Sequence, residues 1–308
     1  MNNTVWILFN ALIVFLLALD LLIINRKAHV ISVKEALGWS AFWIGLAAIF
    51  NVVIYFWLGA ELALEFTAGY LIEKSLSVDN LFVFLMLFAY FKVPAIYQHK
   101  VLFWGILGAI IFRAIFIFAG IELLNRFSFT VYILGAFLIF AGIKMFFAKE
   151  KPLNPEKNVV LAIIRLFVPV TNEYHEGNFW VRIKGVLHAT PLFVVLIIVE
   201  TTDIVFAVDS VPAVLAISKD PFIVYSSNIF AILGLRSLFF ALAGIMDLFH
   251  YLKYGLALIL AFVGTKIVLS HWYHMDIVLS LGIVGFILLA SVILSISFPK
   301  KSHLDVPK

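Results

Sequence analysis

The chain has 308 residues, of which 64% are hydrophobic and 13% are charged, and its mean hydropathy is +1.11. A soluble domain has roughly a quarter of charged residues, so this composition excludes a soluble globular protein and indicates an integral membrane protein. Cysteine is absent, which excludes disulfides, thiolate metal ligands and cysteine nucleophiles. The net charge of +4 does not indicate nucleic-acid binding, because membrane topology explains where the basic residues lie.

Nine apolar runs of about 20 residues are long enough to cross a bilayer as helices. The first run has neither a basic segment before it nor a cleavage site after it, so we expect a retained helix and not a signal peptide. The fold class predicted is an all-α polytopic membrane protein with about nine transmembrane helices, at residues 4–24, 39–59, 66–90, 101–123, 128–147, 189–217, 222–246, 254–272 and 276–298.

The lysine and arginine residues of the connections predict the orientation of the chain. With the N-terminus outside, fifteen of the 22 basic residues fall on the cytoplasmic side, and only Arg126 and Lys219 fall outside. We therefore predict an outer N-terminus and an inner C-terminus. In the long cytoplasmic connection, His175 and Glu176 are better explained by a solvated charged loop than by a metal site.

Two acidic segments share one pattern and define an internal repeat. When Ser77-Val78-Asp79-Asn80 is placed over Ala207-Val208-Asp209-Ser210, Glu73 falls on Asp203. The two following helices of each copy also correspond, through Arg113 and Arg236, and then through Gly142-Ile143-Lys144 and Gly264-Thr265-Lys266.

A repeat of three helices must run in the opposite direction in its second copy, which is the inverted-repeat plan of secondary transporters. The predicted organisation is two N-terminal helices, a first three-helix repeat, a cytoplasmic linker, a second, inverted three-helix repeat, and a final helix with a basic tail. These units correspond to residues 1–60, 61–147, 148–188, 189–272 and 273–308.

Carboxylates inside membrane spans are costly and usually mark function. Glu73 and Asp79 are six residues apart, which on a regular helix separates them by about 120° in direction and ~9 Å along the axis. Either the helix is broken between them, or they serve successive stations on a path. Glu200 and Asp203, by contrast, share a helix face.

Asp79 and Asp209 are the carboxylates best placed to meet across the repeat axis. Each is followed by a small polar residue, Asn80 or Ser210, that could add an oxygen. Pro212 would free a backbone carbonyl behind Asp209, and Thr201 and Thr202 add hydroxyl groups beside Glu200. A site rich in oxygen and free of sulfur and mid-span histidine suits a hard divalent cation such as Mn²⁺, Mg²⁺ or Ca²⁺.

The remaining charged residues of the spans are expected to balance these acids. Arg113 and Arg236 lie in mid-span, and we expect structural salt bridges for both. Lys74 is expected to neutralise the neighbouring Glu73. Asp20 could be either an interfacial acid paired with Arg26-Lys27 or an acid of the inner mouth, and Lys144 and Lys266 are expected to extend toward the membrane surfaces.

Several segments resemble the TerC family, in particular its Alx-like branch, over about residues 4–298. The resemblance rests on Gly69 to Asn80, on Glu200 to Asp203 with Phe206 to Pro212, and further on Leu19 to Leu22, Asp220 to Val224 and Asn228 to Arg236. It implies a multi-pass protein of the bacterial inner membrane, within a wider group of LysE-like transporters, that exports manganese. It also implies that Asp79, Asp209, Glu73, Glu200 and Asp203 bind the metal and that Asp20 is an accessory acid.

The predicted function is therefore a secondary transporter that exports Mn²⁺ by exchange with protons, with other hard divalent cations left open as cargo. No nucleotide-binding motif is present, no cofactor is expected, and Mn²⁺ is the cargo. An embedded metal hydrolase is the less favoured reading, since the spans lack central histidine ligands or a nucleophile with a base. The main alternative is a non-transporting factor for membrane-protein assembly or metallation, associated with the family's older label of tellurite resistance. The expected partners are lipid and the metal ion, with a homo-oligomer or other membrane proteins left open.

Overall fold

The structure is a computed structural model that describes residues 3–20, 32–127, 129–147, 166, 168–243, 251–269 and 275–298. At positions 79, 82, 131 and 209 it describes the backbone but not the side chain. Within the described residues, five helices precede a β-hairpin and five follow it. The first five are α1 (Asn3–Leu19), α2 (Val33–Leu58), α3 (Ala60–Tyr90), α4 (Ala95–Arg126) and α5 (Thr130–Phe147). The rest are β1 (Trp180–Ile183), β2 (Val186–Ala189), α6 (Pro191–Leu215), α7 (Pro221–Ile232), α8 (Leu235–Ala243), α9 (Leu252–Leu269) and α10 (Ile277–Ser297).

Within this described part, six helical segments are long and apolar enough to cross a membrane. They are α2, α4, α6, α7 together with α8, α9, and α10. The apolar parts of α1 and α5 are shorter, and α3, although long, carries Glu73, Lys74 and Asp79 near its middle. The all-helical polytopic membrane fold is thus supported, whereas the count of nine spans, the inverted repeat and the orientation stay predictions.

Side-chain caps fix where several helices begin. The Asp220 carboxylate accepts hydrogen bonds from the backbone N–H groups of Phe222 and Ile223, at 2.9 and 3.0 Å. Pro221 occupies the first turn of α7, where its missing N–H costs nothing. Asp276 caps α10 through the N–H of Val278 in the same way.

Helices α3 and α6 are continuous across positions 79 and 209. The alternative of a helix broken between Glu73 and Asp79 is therefore wrong. Pro212 lies inside α6 without ending the helix, which continues to Leu215, and its missing N–H removes the donor that the Val208 carbonyl would otherwise have within the helix. The break lies instead between α7 and α8, at Leu233 and Gly234, where Gly234 has φ of +80°.

Helix α7 forms the centre of the fold. Every residue from Phe222 to Ile232 is buried, and a helix that is apolar and buried on all sides belongs in a core. Helix α3 packs against α6 and α7, α4 packs against the same two helices, and α5 packs against α9. The polar groups of α3, α4, α6 and α7 are therefore brought together at mid-molecule.

The connection before α6 contains a short β-hairpin, which the sequence analysis does not predict. The strands β1 and β2 pair antiparallel, with Ile183 opposite Val186. The intervening Lys184 and Gly185 both have positive φ, 50° and 85°, which is the conformation that a two-residue hairpin turn requires.

The connection is anchored to the ends of α3 and α4. The Tyr174 hydroxyl donates to the Phe91 carbonyl at 2.7 Å, and Lys100 Nζ donates to the Gly177 carbonyl at 2.7 Å. Burial raises the pKa of Tyr174 to about 12, so its hydroxyl remains a donor at neutral pH. The hairpin itself exposes apolar side chains, among them Val186 and Leu187.

Candidate functional site

Each acidic helix turns one short polar stripe toward the core. On α3 and on α6 the buried positions follow the spacing i, i+4, i+7, which keeps side chains on one face of a helix. On α3 these positions are Glu73, Ser77 and Asn80. On α6 they are Asp203, Ala207 and Ser210, of which the first and last are polar. The opposite side of α6 exposes Val205 and Val208, as expected of a face that meets lipid.

The two stripes meet at Arg113 of α4, whose side chain is completely buried. Its guanidinium forms an ion pair with Glu73 and a two-point contact with Asp203, with Nη2 to Oδ1 at 3.3 Å and Nε to Oδ2 at 3.5 Å. Nη1 also donates to Ser210 Oγ at 3.2 Å. A planar guanidinium suits this arrangement because its five donors can serve several acceptors at once.

Asn228 of α7 is the member of this cluster that sequence reasoning missed. Its Nδ2 donates to Glu73 Oε2 at 2.9 Å, and its Oδ1 accepts from Arg113 Nη1 at 3.5 Å. Asn228 therefore joins the acid to the base and fixes both. The available signal was a run of three polar residues, Ser226-Ser227-Asn228, in the middle of an apolar span.

This cluster gives Glu73 and Asp203 an arginine contact in addition to their expected role as metal ligands, which stays a prediction. Both were predicted as metal ligands, but Arg113 occupies the space between their carboxylates. Ser210, expected to supply an oxygen beside Asp209, instead accepts from the same guanidinium. Two carboxylates against one guanidinium leave the cluster one negative charge in excess when both acids are ionised.

Glu200 lies one helical turn before Asp203, on the same face, and takes no part in the ion pairs that the structure describes. Its Oε2 is buried and has no hydrogen-bond partner among the described residues. The carboxylate fits directly against Gly108 of α4, where a Cβ atom would overlap it. Gly108 thus provides the space that Glu200 occupies.

Within the part of the chain that the structure describes, two further buried polar atoms on α3 lack hydrogen-bond partners, Ser77 Oγ and Asn80 Nδ2. Buried polar groups are nearly always hydrogen-bonded, so each such atom calls for an explanation. Both lie within two residues of Asp79. Among the side chains that the structure describes, no three histidine, aspartate or glutamate residues gather as a metal site. The side chains of Asp79 and Asp209 lie outside the described part.

A small cavity adjoins the cluster. It has a volume of about 20 Å³ and is lined by Asp203 and Arg236 together with apolar residues of α3, α4 and α6. This is room for about one water molecule. Asp203 and Arg236 are the charged residues on its wall.

Arg236 forms an ion pair with Asp20 at 2.6 Å, between Nη2 and Oδ1. Both arginines thus bind acids, as the charge balance of the spans led us to expect. For Asp20, the partner is a mid-span arginine of α8. Its expected alternative partners, Arg26 and Lys27, lie outside the described residues.

The other charge partners divide into two kinds. The expected pairing of Lys74 with Glu73 is wrong, because Lys74 Nζ donates to the backbone carbonyls of Ala231 and Leu233, at 3.1 and 3.4 Å. Adjacent residues on a helix point in directions about 100° apart, so the two side chains reach different neighbours. Lys144 is exposed and Lys266 is half-buried near the ends of their helices.

The threonines predicted beside Glu200 are engaged by their own helix. Thr202 Oγ1 donates to the Ile198 carbonyl at 2.6 Å, and Thr201 Oγ1 donates to the carbonyls of Ile197 and Ile198. A hydroxyl that donates in this way still has lone pairs to offer. The structure therefore leaves the supporting role predicted for Thr202 untouched.

Comparison with known proteins agrees with the architecture. The chain is 47% identical over 306 residues to "Uncharacterized membrane protein STKORF319" of Myxococcus xanthus, which covers 98% of this chain and 96% of the relative. It is 46% identical over 299 residues to the Escherichia coli (strain K12) protein named "Putative membrane-bound redox modulator Alx", covering 94% of this chain and 93% of the relative. A membrane protein of Rickettsia bellii is 43% identical over 291 residues, 94% of this chain and 96% of its own length.

No solved structure matches the chain at a significant level. The family description that matches, over residues 58–303, is "Integral membrane protein TerC family". The matched range contains all five acids of the two repeated segments together with Arg113, Asn228 and Arg236. The chain therefore belongs to the TerC family of integral membrane proteins.

Proposed function

We propose that this protein is a secondary transporter that exports Mn²⁺, and other hard divalent cations, from the cytoplasm. The observation that carries the proposal is the buried acid cluster where α3, α4, α6 and α7 meet. Ionisable groups at this depth are expensive and rarely idle. An excess negative charge held among apolar helices attracts cations and has no evident use in a passive scaffold.

The carboxylates would have two different roles. Arg113 holds Glu73 and Asp203, so these two set the local field and fix the neighbouring helices. Asp79 and Asp209, six residues further along the same helices, are the proposed ligands of the cargo, with Glu200 as the third carboxylate. The cation would enter carrying water, exchange that water for carboxylate oxygens, and leave on the other side.

The unpartnered polar atoms support this assignment. Ser77 Oγ, Asn80 Nδ2 and Glu200 Oε2 are buried and have no hydrogen-bond partner in the residues that the structure describes. A passing cation or its water would supply one. The amide of Asn80 can present either its nitrogen or its oxygen, because the two differ only by a rotation. Oxygen ligands of this kind suit Mn²⁺ and Mg²⁺ better than softer metals.

The inverted repeat is part of the proposal and has support in the crossing of α5 and α9. When the repeats are aligned, Gly142 falls on Gly264 and Gly135 falls on Ala257. A Cβ atom on Gly135 would meet the Gly264 carbonyl at 3.0 Å, and one on Gly142 would meet the Ala257 carbonyl at 2.6 Å. The alignment thus maps the contact between Gly135 and Gly264 onto the contact between Ala257 and Gly142. A two-fold axis between the repeats requires such a correspondence.

Coupling to a proton gradient is the proposed source of energy. Carboxylates bind either a proton or a metal ion, so protons can enter as the cation leaves. With this mechanism the protein is a transporter and not an enzyme, and it lies in the bacterial inner membrane with its N-terminus outside. Manganese export that persists at the same rate after the pH gradient is collapsed would exclude proton coupling.

A second candidate is a factor for membrane-protein assembly or metallation. The exposed apolar residues Val186 and Leu187 of the hairpin favour it, since such a surface can dock another protein. The name of the Escherichia coli relative refers to redox modulation, but a chain without cysteine cannot perform thiol–disulfide exchange itself. Deleting residues 148–188 should abolish the function of an assembly factor, and should affect a transporter less.

The decisive experiment compares cellular manganese in an exporter-deficient bacterium that expresses wild type, Asp79→Asn, Asp209→Asn or Glu61→Gln at equal membrane levels. Glu61 is exposed at the start of α3, so its amide variant controls for the loss of a charge on the same helix. We expect wild type and Glu61→Gln to lower cellular manganese and both aspartate variants to leave it high. Equal manganese in all four strains would overturn the transport proposal and favour the assembly factor.

A further inference from the structure

The break between α7 and α8 interrupts the hydrogen-bond pattern of a buried helical segment. Helix α7 ends at Ile232 and α8 begins at Leu235, with Gly234 at φ +80° between them. The last carbonyl groups of a helix have no partner within it. Away from water, such groups need another donor or a cation.

A side chain from a distant part of the sequence supplies a positively charged donor to these carbonyl groups. Lys74 of α3 places its Nζ 3.1 Å from the carbonyl oxygen of Ala231 and 3.4 Å from that of Leu233. The C-terminal end of a helix carries partial negative charge, which favours a cation at this position. The ammonium therefore lies where the electrostatics of the break would hold an ion.

The described side chains provide no carboxylate for Lys74. Its neighbour Glu73 is engaged by Arg113 and Asn228, and the contacts recorded for the ammonium are to backbone oxygens. In membrane transporters, the backbone carbonyls of unwound segments and of half-helix C-termini bind small monovalent ions. The two carbonyls that Lys74 contacts are of this kind.

We propose that the break between α7 and α8 is a monovalent-cation site, and that this chain fills it with the ammonium group of Lys74. The amine is a tethered ion that holds α3 to the broken helix. Removal of the side chain would leave the carbonyls of Ala231 and Leu233 able to take up a free alkylammonium or sodium ion. The inference does not depend on the identity of the transported metal.

The test is the thermal unfolding of purified Lys74→Ala in choline, methylammonium and sodium chloride at equal concentration. Choline is too large to enter, whereas methylammonium reproduces the end of the lysine. We expect the midpoint of Lys74→Ala to be lowest in choline and to rise by about 2–4 °C in methylammonium or sodium, with a saturating dependence on concentration. The wild-type midpoint should be the same in all three salts.

Lys74→Met is the matched control, because it fills most of the space of the lysine but carries no charge. Its midpoint should not respond to methylammonium or sodium. The proposal is overturned if Lys74→Ala responds to neither ion, or if both variants respond equally. If Lys74→Ala does not accumulate in membranes, the measurement becomes its membrane level in cells grown with and without methylammonium. A level restored by methylammonium for Lys74→Ala but not for Lys74→Met supports the site. A level that is not restored for Lys74→Ala overturns it.

Discussion

Replacing Arg113 by methionine should strongly destabilise the protein, and the structure indicates how much. The substitution leaves Glu73 and Asp203 buried without their counter-charge and removes the donor to Ser210. Breaking a buried ion pair by removing one partner costs about 3–5 kcal/mol. We therefore expect the free energy of unfolding to fall by about that amount.

The same reasoning predicts a rescue. If the cost comes from uncompensated carboxylates, the triple variant Arg113→Met, Glu73→Gln, Asp203→Asn should recover about half of the loss or more, because a neutral cluster no longer buries unpaired charge. The interaction energy between the arginine and the two acids should be about 1–3 kcal/mol. Additive losses in the triple variant would refute this account of the cluster.

The measurement is unfolding in mixed micelles by titration with a denaturing detergent, followed by the fluorescence of the seven tryptophans. Arg126→Met is the matched control, because Arg126 is exposed at the end of the same helix and its replacement should change the free energy of unfolding by no more than about 0.5 kcal/mol. Equal losses for Arg113→Met and Arg126→Met would contradict the proposed role of Arg113.

Two further substitutions test the packing around the site. Gly108→Ala would place a Cβ atom on the Glu200 carboxylate. Because this carboxylate is the flexible end of a side chain, we expect the thermal midpoint to be kept and manganese export to fall. Unchanged export would show that Glu200 has no role in transport. Gly234→Ala should destabilise by about 1 kcal/mol or more, because its φ is positive and its Cβ would approach Trp43 to 2.7 Å. Gly38→Ala is the control, because Gly38 lies in a helix and an added Cβ atom would meet nothing within 4 Å; it should be neutral or stabilise by up to about 1 kcal/mol. A similar loss of stability for Gly38→Ala and Gly234→Ala would contradict the explanation from backbone conformation and contact at Gly234.

Local pattern was enough to predict the elements of the fold. The long apolar runs predict helices because a bilayer requires about 20 residues of continuous helix, and the structure has helices in each run wherever it describes the chain. The motif around Asp79 and Asp209 predicted the family, which the comparisons show. The hairpin could also have been found, since Lys184-Gly185 between apolar residues is a recognisable two-residue turn.

The partners of the charged groups could not be predicted in the same way. Arg113 contacts Glu73 and Asp203 from two other helices, and Lys74 reaches carbonyls more than 150 residues away. Sequence spacing gives the direction of a side chain on its own helix, but not which neighbouring helix lies on that side. For Lys74 the nearest acid in sequence was the wrong partner for this reason.

By itself, the sequence determined that this chain is a membrane protein with two related acidic helices, because hydropathy and helical period are local properties. Only the tertiary structure decided that Glu73 and Asp203 share one arginine, that Asn228 joins them, and that the break lies at Gly234 and not beside the aspartates. These features depend on how α3, α4, α6 and α7 pack around one another. Burial then selects, among many charged and polar groups, the few that must satisfy each other away from water.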